Sequence, residues 1–220
     1  MKNRQAFDFE LEELSSELIK MGAAATEAVG KAMTALEKND KDLAQMVILG
    51  DSVIDEMERN IEHRCLRLLL KQQPVAGDLR RISVAIKMIT DIERIGDSAV
   101  DISKLSLNRG ECMFPKIQKC VLEMAEVARS MVDASIEAYV HEDTDTAKQT
   151  IQKDEVVDTY FIDIRNALGR RLSKNTDEII EIMDYLLIIK YLERVGDHAV
   201  NICEWVEFYK TGIHKKERIL

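Results

Sequence analysis

Apolar residues return at three- and four-residue steps through six stretches of the chain, with polar residues filling the positions between. That period lays one apolar stripe along a helix. It predicts helices over residues 5–38, 41–72, 76–107, 115–141, 144–172 and 177–209. The breaks carry their own punctuation. Asn39-Asp40 and His141-Glu142-Asp143-Thr144 offer N-caps, Pro74 and Gly77 interrupt the second break, and Ser173 to Asp177 is polar throughout. Asn108-Arg109-Gly110, followed by Pro115, is the only real linker and falls at the middle of the chain. Short connections make neighbouring helices antiparallel, and no strand pattern competes. The expected architecture is all-α: a three-helix bundle over residues 1–108 and another over 114–220. Each is too thin to bury its apolar faces alone, so the two should pack together.

The two halves are one unit written twice. Glu93-Arg94-Ile95-Gly96-Asp97 reappears as Glu193-Arg194-Val195-Gly196-Asp197, and over residues 93–102 and 193–202 seven of the ten positions are identical. A looser pair matches Asp51 and Asp55 with Asp154 and Asp158. Such repetition decides the fold before any local propensity does.

The repeat also allows a geometric test. Residues equally far from the turn of an antiparallel hairpin stand at the same height. Asp55 with Glu93, and Asp51 with Asp97, are each symmetric about Pro74. Asp158 with Glu193, and Asp154 with Asp197, are symmetric about the Asn175-Thr176 turn. Four carboxylates are thus expected level on facing helices in each repeat, about 28 Å from the turn at 1.5 Å per residue.

Residues four apart share a helix face, so each D-x-x-x-D or E-x-x-x-D pair places like charges side by side at a cost of a few tenths of a kcal/mol. Two pairs pressed between helix axes about 8–10 Å apart cost more. Hard cations relieve that repulsion, and carboxylate oxygens are their preferred ligands. The expected metal ligands are therefore Asp51, Asp55, Glu93 and Asp97 in one repeat and Asp154, Asp158, Glu193 and Asp197 in the other. Solvated acidic faces are the simpler alternative. Arg94 and Arg194 compete as salt-bridge partners, but neighbours in sequence do not face one another on a helix, so both are expected to point elsewhere. Gly96 and Gly196, inside helices where glycine costs about 1 kcal/mol, suggest close helix approach or room beside a ligand. Asp101 and its counterpart Asn201 continue the acidic face as peripheral residues. His198 is expected to face solvent or to support the site from behind. The methionines, among them Met21, Met33, Met46, Met57 and Met88, are expected to fill gaps in the core.

Catalytic signatures are missing. None of His63, His141, His198 and His214 follows a glutamate by three residues, as di-iron bundles require. There is no H-E-x-x-H, G-x-S-x-G or phosphate-cradling glycine loop. The net charge of −9 argues against a nucleic-acid binder. Four cysteines without a C-x-x-C pair read as idle thiols of a reducing compartment. The charged N-terminus lacks a signal-peptide core, and the longest apolar run, Tyr185 to Leu192, is broken by Lys190 and too short for a membrane span. A cytoplasmic protein is expected, as a homodimer and without catalytic residues. Lys215-Lys216-Glu217-Arg218 reads as a solvated tail.

The paired E-R-x-G-D segments resemble the PhoU family of phosphate-uptake accessory regulators. Gln73-Pro74-Val75-Ala76-Gly77-Asp78-Leu79-Arg80 is similar to that family's Q-P-x-x-x-D-L-R hairpin, and Asn201-Ile202-Cys203-Glu204-Trp205 to its N-I-C-E segment. The match runs in order from about residue 5 to 212. The resemblance implies two three-helix bundles related by a pseudo-repeat. It implies multinuclear metal clusters, of iron or zinc, held by the eight carboxylates named above. Manganese, magnesium or calcium would suit the same oxygens. It also implies a brake that links a phosphate ABC transporter to a sensor histidine kinase and represses the phosphate-starvation response. Departures from symmetry, Asp101 against Asn201 and Glu58 against Phe161, bear on whether the two sites hold equal numbers of ions. A metal-dependent phosphoester hydrolase and a purely structural helical adaptor are the alternatives.

Overall fold

The computed structural model describes residues 2–71, 74–110, 112–174, 176–214 and 217–218. Gln73, Asn175, Lys215 and Lys216 lie outside the described residues. Six helices carry the fold: α1 (Lys2–Lys38), α2 (Lys41–Lys71), α3 (Ala76–Leu107), α4 (Pro115–His141), α5 (Thr144–Leu172) and α6 (Ile179–Thr211). Two-residue strands at Ile213–His214 and Glu217–Arg218 pair antiparallel in the C-terminal tail, which the sequence pattern did not foreshadow.

The caps explain the boundaries. Asp40 accepts from the Leu43 amide at 2.9 Å and starts α2, and Asp143 accepts from the amides of Asp145 and Thr146 to start α5. Asn39 and Glu142 adopt left-handed backbone (φ 52° in each) just beyond α1 and α4, and Gly212 (φ 73°) follows α6. Gly77 belongs to the first turn of α3 instead of the break, because the Asp78 carboxylate turns back onto the Val75 amide. α6 starts two residues later than its apolar period suggests, and the Arg171 guanidinium clasps the Glu178 carboxylate at 2.5 and 2.8 Å immediately before it.

Burial sorts the helices into layers. α2 hides a narrow stripe at Val47, Ile54, Ile61 and Leu68, and α5 the equivalent one at Thr150, Val157 and Ile164. Seven-residue steps of this kind let an outer helix lean on a neighbour along one seam. α3 and α6 are buried far more widely, through Ile82, Met88, Ile89, Ile92, Ile95 and Ile102 on one and Tyr185, Ile188, Ile189, Leu192, Val195 and Ile202 on the other. These two central helices pack on each other, and α1 packs on α4, so both repeats share one core. α3 and α6 run antiparallel: Asp91 meets His198 and Asn201, while Tyr191 faces Asp101.

Met21, Met33 and Met88 are buried as expected, but Met46 is exposed. It lines a shallow groove of about 170 Å³ with Ala28, Val53 and Gly50, at whose edge Asp51 lies.

Candidate carboxylate sites in the two hairpins

The site residues follow from the seams just described. On α2, Asp51, Asp55 and Glu58 flank Ile54, which seals the seam against α3. The ideal Cβ position at Gly96 lies 3.0 Å from Ile54 Cδ1, so the glycine lets α2 approach. On α5, Asp154 and Asp158 flank the buried Val157 in the same way. At Gly196 a Cβ would stand 2.8 Å from Asp154 Oδ1 and 3.5 Å from Val157 Cγ1. The second glycine therefore makes room for a carboxylate itself, which a methyl group would displace.

In the first hairpin the four expected carboxylates are all half-buried. Burial first, then Asp55 and Asp97, holds the Asp51 carboxyl above its usual range, and Asp101 adds to this while Lys104 opposes it. Burial and Asp97 likewise raise Glu93, with Glu58 and Asp55 adding and Arg94 opposing. In the second hairpin Asp154 and Glu193 are half-buried while Asp158 and Asp197 sit at the solvent edge. Asp154 is pushed up to about 6 by burial, followed by Asp158, Asp197 and Glu193. Asp197 is raised by burial and Glu193, against Lys190 and His198. In each hairpin the raised carboxyl groups thus feel, after burial, the charges of the other acidic residues on the two helices.

Glu58, which lies one helical turn beyond Asp55, joins the first group: burial, Glu62 and Asp55 raise it, and Arg94 opposes. Its counterpart Phe161 instead packs under Arg165 and Lys190, with both cations 5.8 Å from the ring centroid. Arg94 does not point away. Its Nη1 donates to Asp97 Oδ2 at 2.8 Å and its Nε lies 3.3 Å from Glu93 Oε2, because a long side chain one residue along still reaches back over the face. Lys190 pairs with Glu193 in the second group. Asp101 pairs with Lys104 at 3.1 Å beside the first group. Asn201 is not beside the second group in this sense, because its amide donates to Asp91 Oδ1 at 3.1 Å across the α3–α6 seam. His198 is likewise turned inward, with Nδ1 2.9 Å from the same Asp91 oxygen. Asp91 was invisible as a partner because Tyr191 occupies its place in the repeat.

The donor set suits a hard cation in composition and charge, and Gly196 leaves room for one oxygen of Asp154. With the side chains as they stand, no three of these groups among the described residues converge closely enough to hold one ion. A cation would therefore require the half-buried carboxylates to rotate toward one another and the exposed Arg94 and Lys190 side chains to swing aside, the latter at little cost. The four cysteines are free thiols, and Cys65 and Cys203 are buried and pushed up to about 12 by that burial, so neither offers a thiolate. Among the described residues no helix is long and apolar enough to cross a membrane.

A family model described as PhoU domain matches the chain twice, at residues 18–106 and 121–206. The chain is 38% identical over 210 residues to a phosphate-specific transport system accessory protein PhoU homolog of Clostridium acetobutylicum, covering 95% of this chain and 96% of that relative. The crystal structure of PhoU from Pseudomonas aeruginosa superposes with a TM-score of 0.90 at 33% identity, over 94% of this chain and 99% of that one. The phosphate transport system regulatory protein PhoU from Streptococcus pneumoniae gives a TM-score of 0.87 at 32% identity, over 94% and 97%. With the domain found in both repeats and relatives spanning nearly the whole chain, the protein belongs to the PhoU family.

Proposed function

We propose that this protein is a cation-binding accessory regulator of phosphate uptake in the cytoplasm, restraining a phosphate ABC transporter and the histidine kinase that reports on it. The observation that carries the reading is its family membership along the whole chain: the relatives it matches are named as accessory or regulatory proteins of phosphate transport. The paired carboxylate groups support a cation in each repeat. Asp51, Asp55, Glu93 and Asp97 would hold one set of ions and Asp154, Asp158, Glu193 and Asp197 the other, with iron, zinc or manganese neutralising the repulsion between them. The cation's part is to hold α2 to α3 and α5 to α6 near the open ends of the hairpins. The outer helices are otherwise held by one narrow apolar stripe each and by side-chain bonds to α1 and α4, such as Arg64 to Glu10 and Glu17 and Lys153 to Ser130.

Action by binding is favoured over turnover. The histidine nearest the second group in sequence, His198, has its Nδ1 engaged by Asp91 in the seam between repeats. Deleting the gene should derepress phosphate uptake and the starvation response in phosphate-replete cells, read as transport of labelled phosphate and as a starvation-promoter reporter. Unchanged uptake and reporter signal in phosphate excess would contradict the regulatory role. Hydrolysis of a generic phosphoester by the metal-loaded chain, lost on Asp97→Asn, would favour the hydrolase instead.

A further inference from the structure

We infer that Arg94 is a built-in counter-cation of the first carboxylate group, which an entering metal ion must displace, so that it sets the affinity of that site. The inference rests on the cation-binding reading above.

Three observations carry it. Arg94 closes on two of the proposed ligands at once, Asp97 at 2.8 Å and Glu93 at 3.3 Å. Both lie on α3, and Arg94 also opposes Glu58 on α2, so its charge faces both walls of the hairpin. A guanidinium fork is well shaped for spanning two carboxylates. The side chain is also 49% exposed, and exposed pairs hold weakly, so it can swing out without disturbing the core. The second repeat reaches an equivalent contact by another route. Arg194, at the same place in the motif, makes no ion pair with Glu193 or Asp197 among the described residues, and Lys190 takes Glu193 instead. The position equivalent to Lys190 is Thr90 in the first copy. Each hairpin therefore places one cationic side chain on the equivalent glutamate, from unrelated positions. The surrounding charge differs as well, with Glu58 and Asp101 enlarging the first group where Phe161 and Asn201 stand in the second.

The test measures Mn²⁺ affinity by calorimetry in the full chain carrying Asp154→Asn and Asp197→Asn, which leaves the first site alone. Arg94→Gln in that background should bind Mn²⁺ about tenfold more tightly, the worth of two exposed ion pairs no longer competing. Arg94→Lys should fall back toward the parent. In the otherwise wild-type chain, Arg194→Gln should leave affinity unchanged, whereas Lys190→Met should tighten the second site. Binding by Arg94→Gln alone, with none by the parent, supports the inference in its strongest form. A parent that binds Mn²⁺ with Arg94→Gln equal or weaker overturns the counter-cation role and leaves the cation site standing. No binding by either chain removes the cation site itself, and the counter-cation role with it.

Discussion

Saturating the metal-free chain with Mn²⁺ or Zn²⁺ should raise its melting temperature by about 10 °C or more, and combining Asp97→Asn with Asp197→Asn should abolish most of that rise. A ligand at a hundred times its dissociation constant stabilises the native state by about 2.7 kcal/mol per site. Two sites give roughly 5 kcal/mol, and a chain of this size gains about 2–4 °C per kcal/mol. The sign of the pH dependence follows from Asp154. Its folded-state pKa of about 6 lies above the ordinary aspartate value of 3.8. Between those values the folded chain holds a proton that the unfolded chain has lost, so stability falls as pH rises through this window and stays reduced above it. Metal-free Asp154→Asn should therefore melt above the parent at pH 7, with the gap closing toward pH 4. With cation present the order should reverse, since a ligand must be ionised. Differential scanning fluorimetry at both pH values, with and without metal, reads all four cases. A metal-free Asp154→Asn chain that melts lower at pH 7 would contradict the crowded-carboxylate account.

Arg109→Ala should be the most destabilising single change outside the apolar core, at about 3–5 kcal/mol, the usual cost of stripping one partner from a buried ion pair. The Arg109 side chain is only 6% exposed. Its Nη2 donates to Glu181 Oε1 at 2.9 Å and to the Tyr185 hydroxyl at 2.8 Å, and its guanidinium lies 4.3 Å from the Tyr185 ring centroid. The Tyr185 hydroxyl donates on to Gln118 Oε1 at 2.9 Å, and Gln118 Nε2 to the Glu37 carbonyl at 3.3 Å. This chain of bonds ties the crossover between repeats to α6, α4 and the end of α1. Truncating Arg109 leaves the Glu181 charge buried with little beyond the Met113 amide to answer it. Urea unfolding followed by circular dichroism gives the loss directly, and a further Glu181→Ala change should recover part of it. A loss under about 1 kcal/mol would mean that the network is solvated and the crossover slack.

What could be read before the structure, and what could not, divides along a physical line. Helix positions and hairpin pairing were legible because a helix is rigid, with a fixed rise per residue. The residues paired by symmetry about Pro74, Asp51 with Asp97 and Asp55 with Glu93, act on each other across the first hairpin. The contacts that escaped depend on rotamers or on distant parts of the chain. Arg94 was expected to point away on the rule for adjacent residues, yet its length let it fold back onto Glu93 and Asp97. Glu58, a break in the symmetry of the repeat, enlarges the first group. Arg109 read as part of a plain linker, since nothing local marks a residue whose partners lie more than seventy positions away. Asp91 with His198 and Asn201 joins the repeats through a pairing the repeat itself concealed, because Tyr191 and Asp101 fill the matching positions.

The most direct test of the central claim, that each hairpin builds its own cation site, is elemental analysis of the purified chain after metal loading and desalting. The wild type should carry bound metal; Asp97→Asn and Asp197→Asn should each lose the share of one hairpin, and the double variant nearly all of it, with helical content unchanged in every case. Full metal content in both single variants, or no metal in the wild type under any loading, would reduce the eight carboxylates to solvated acidic faces.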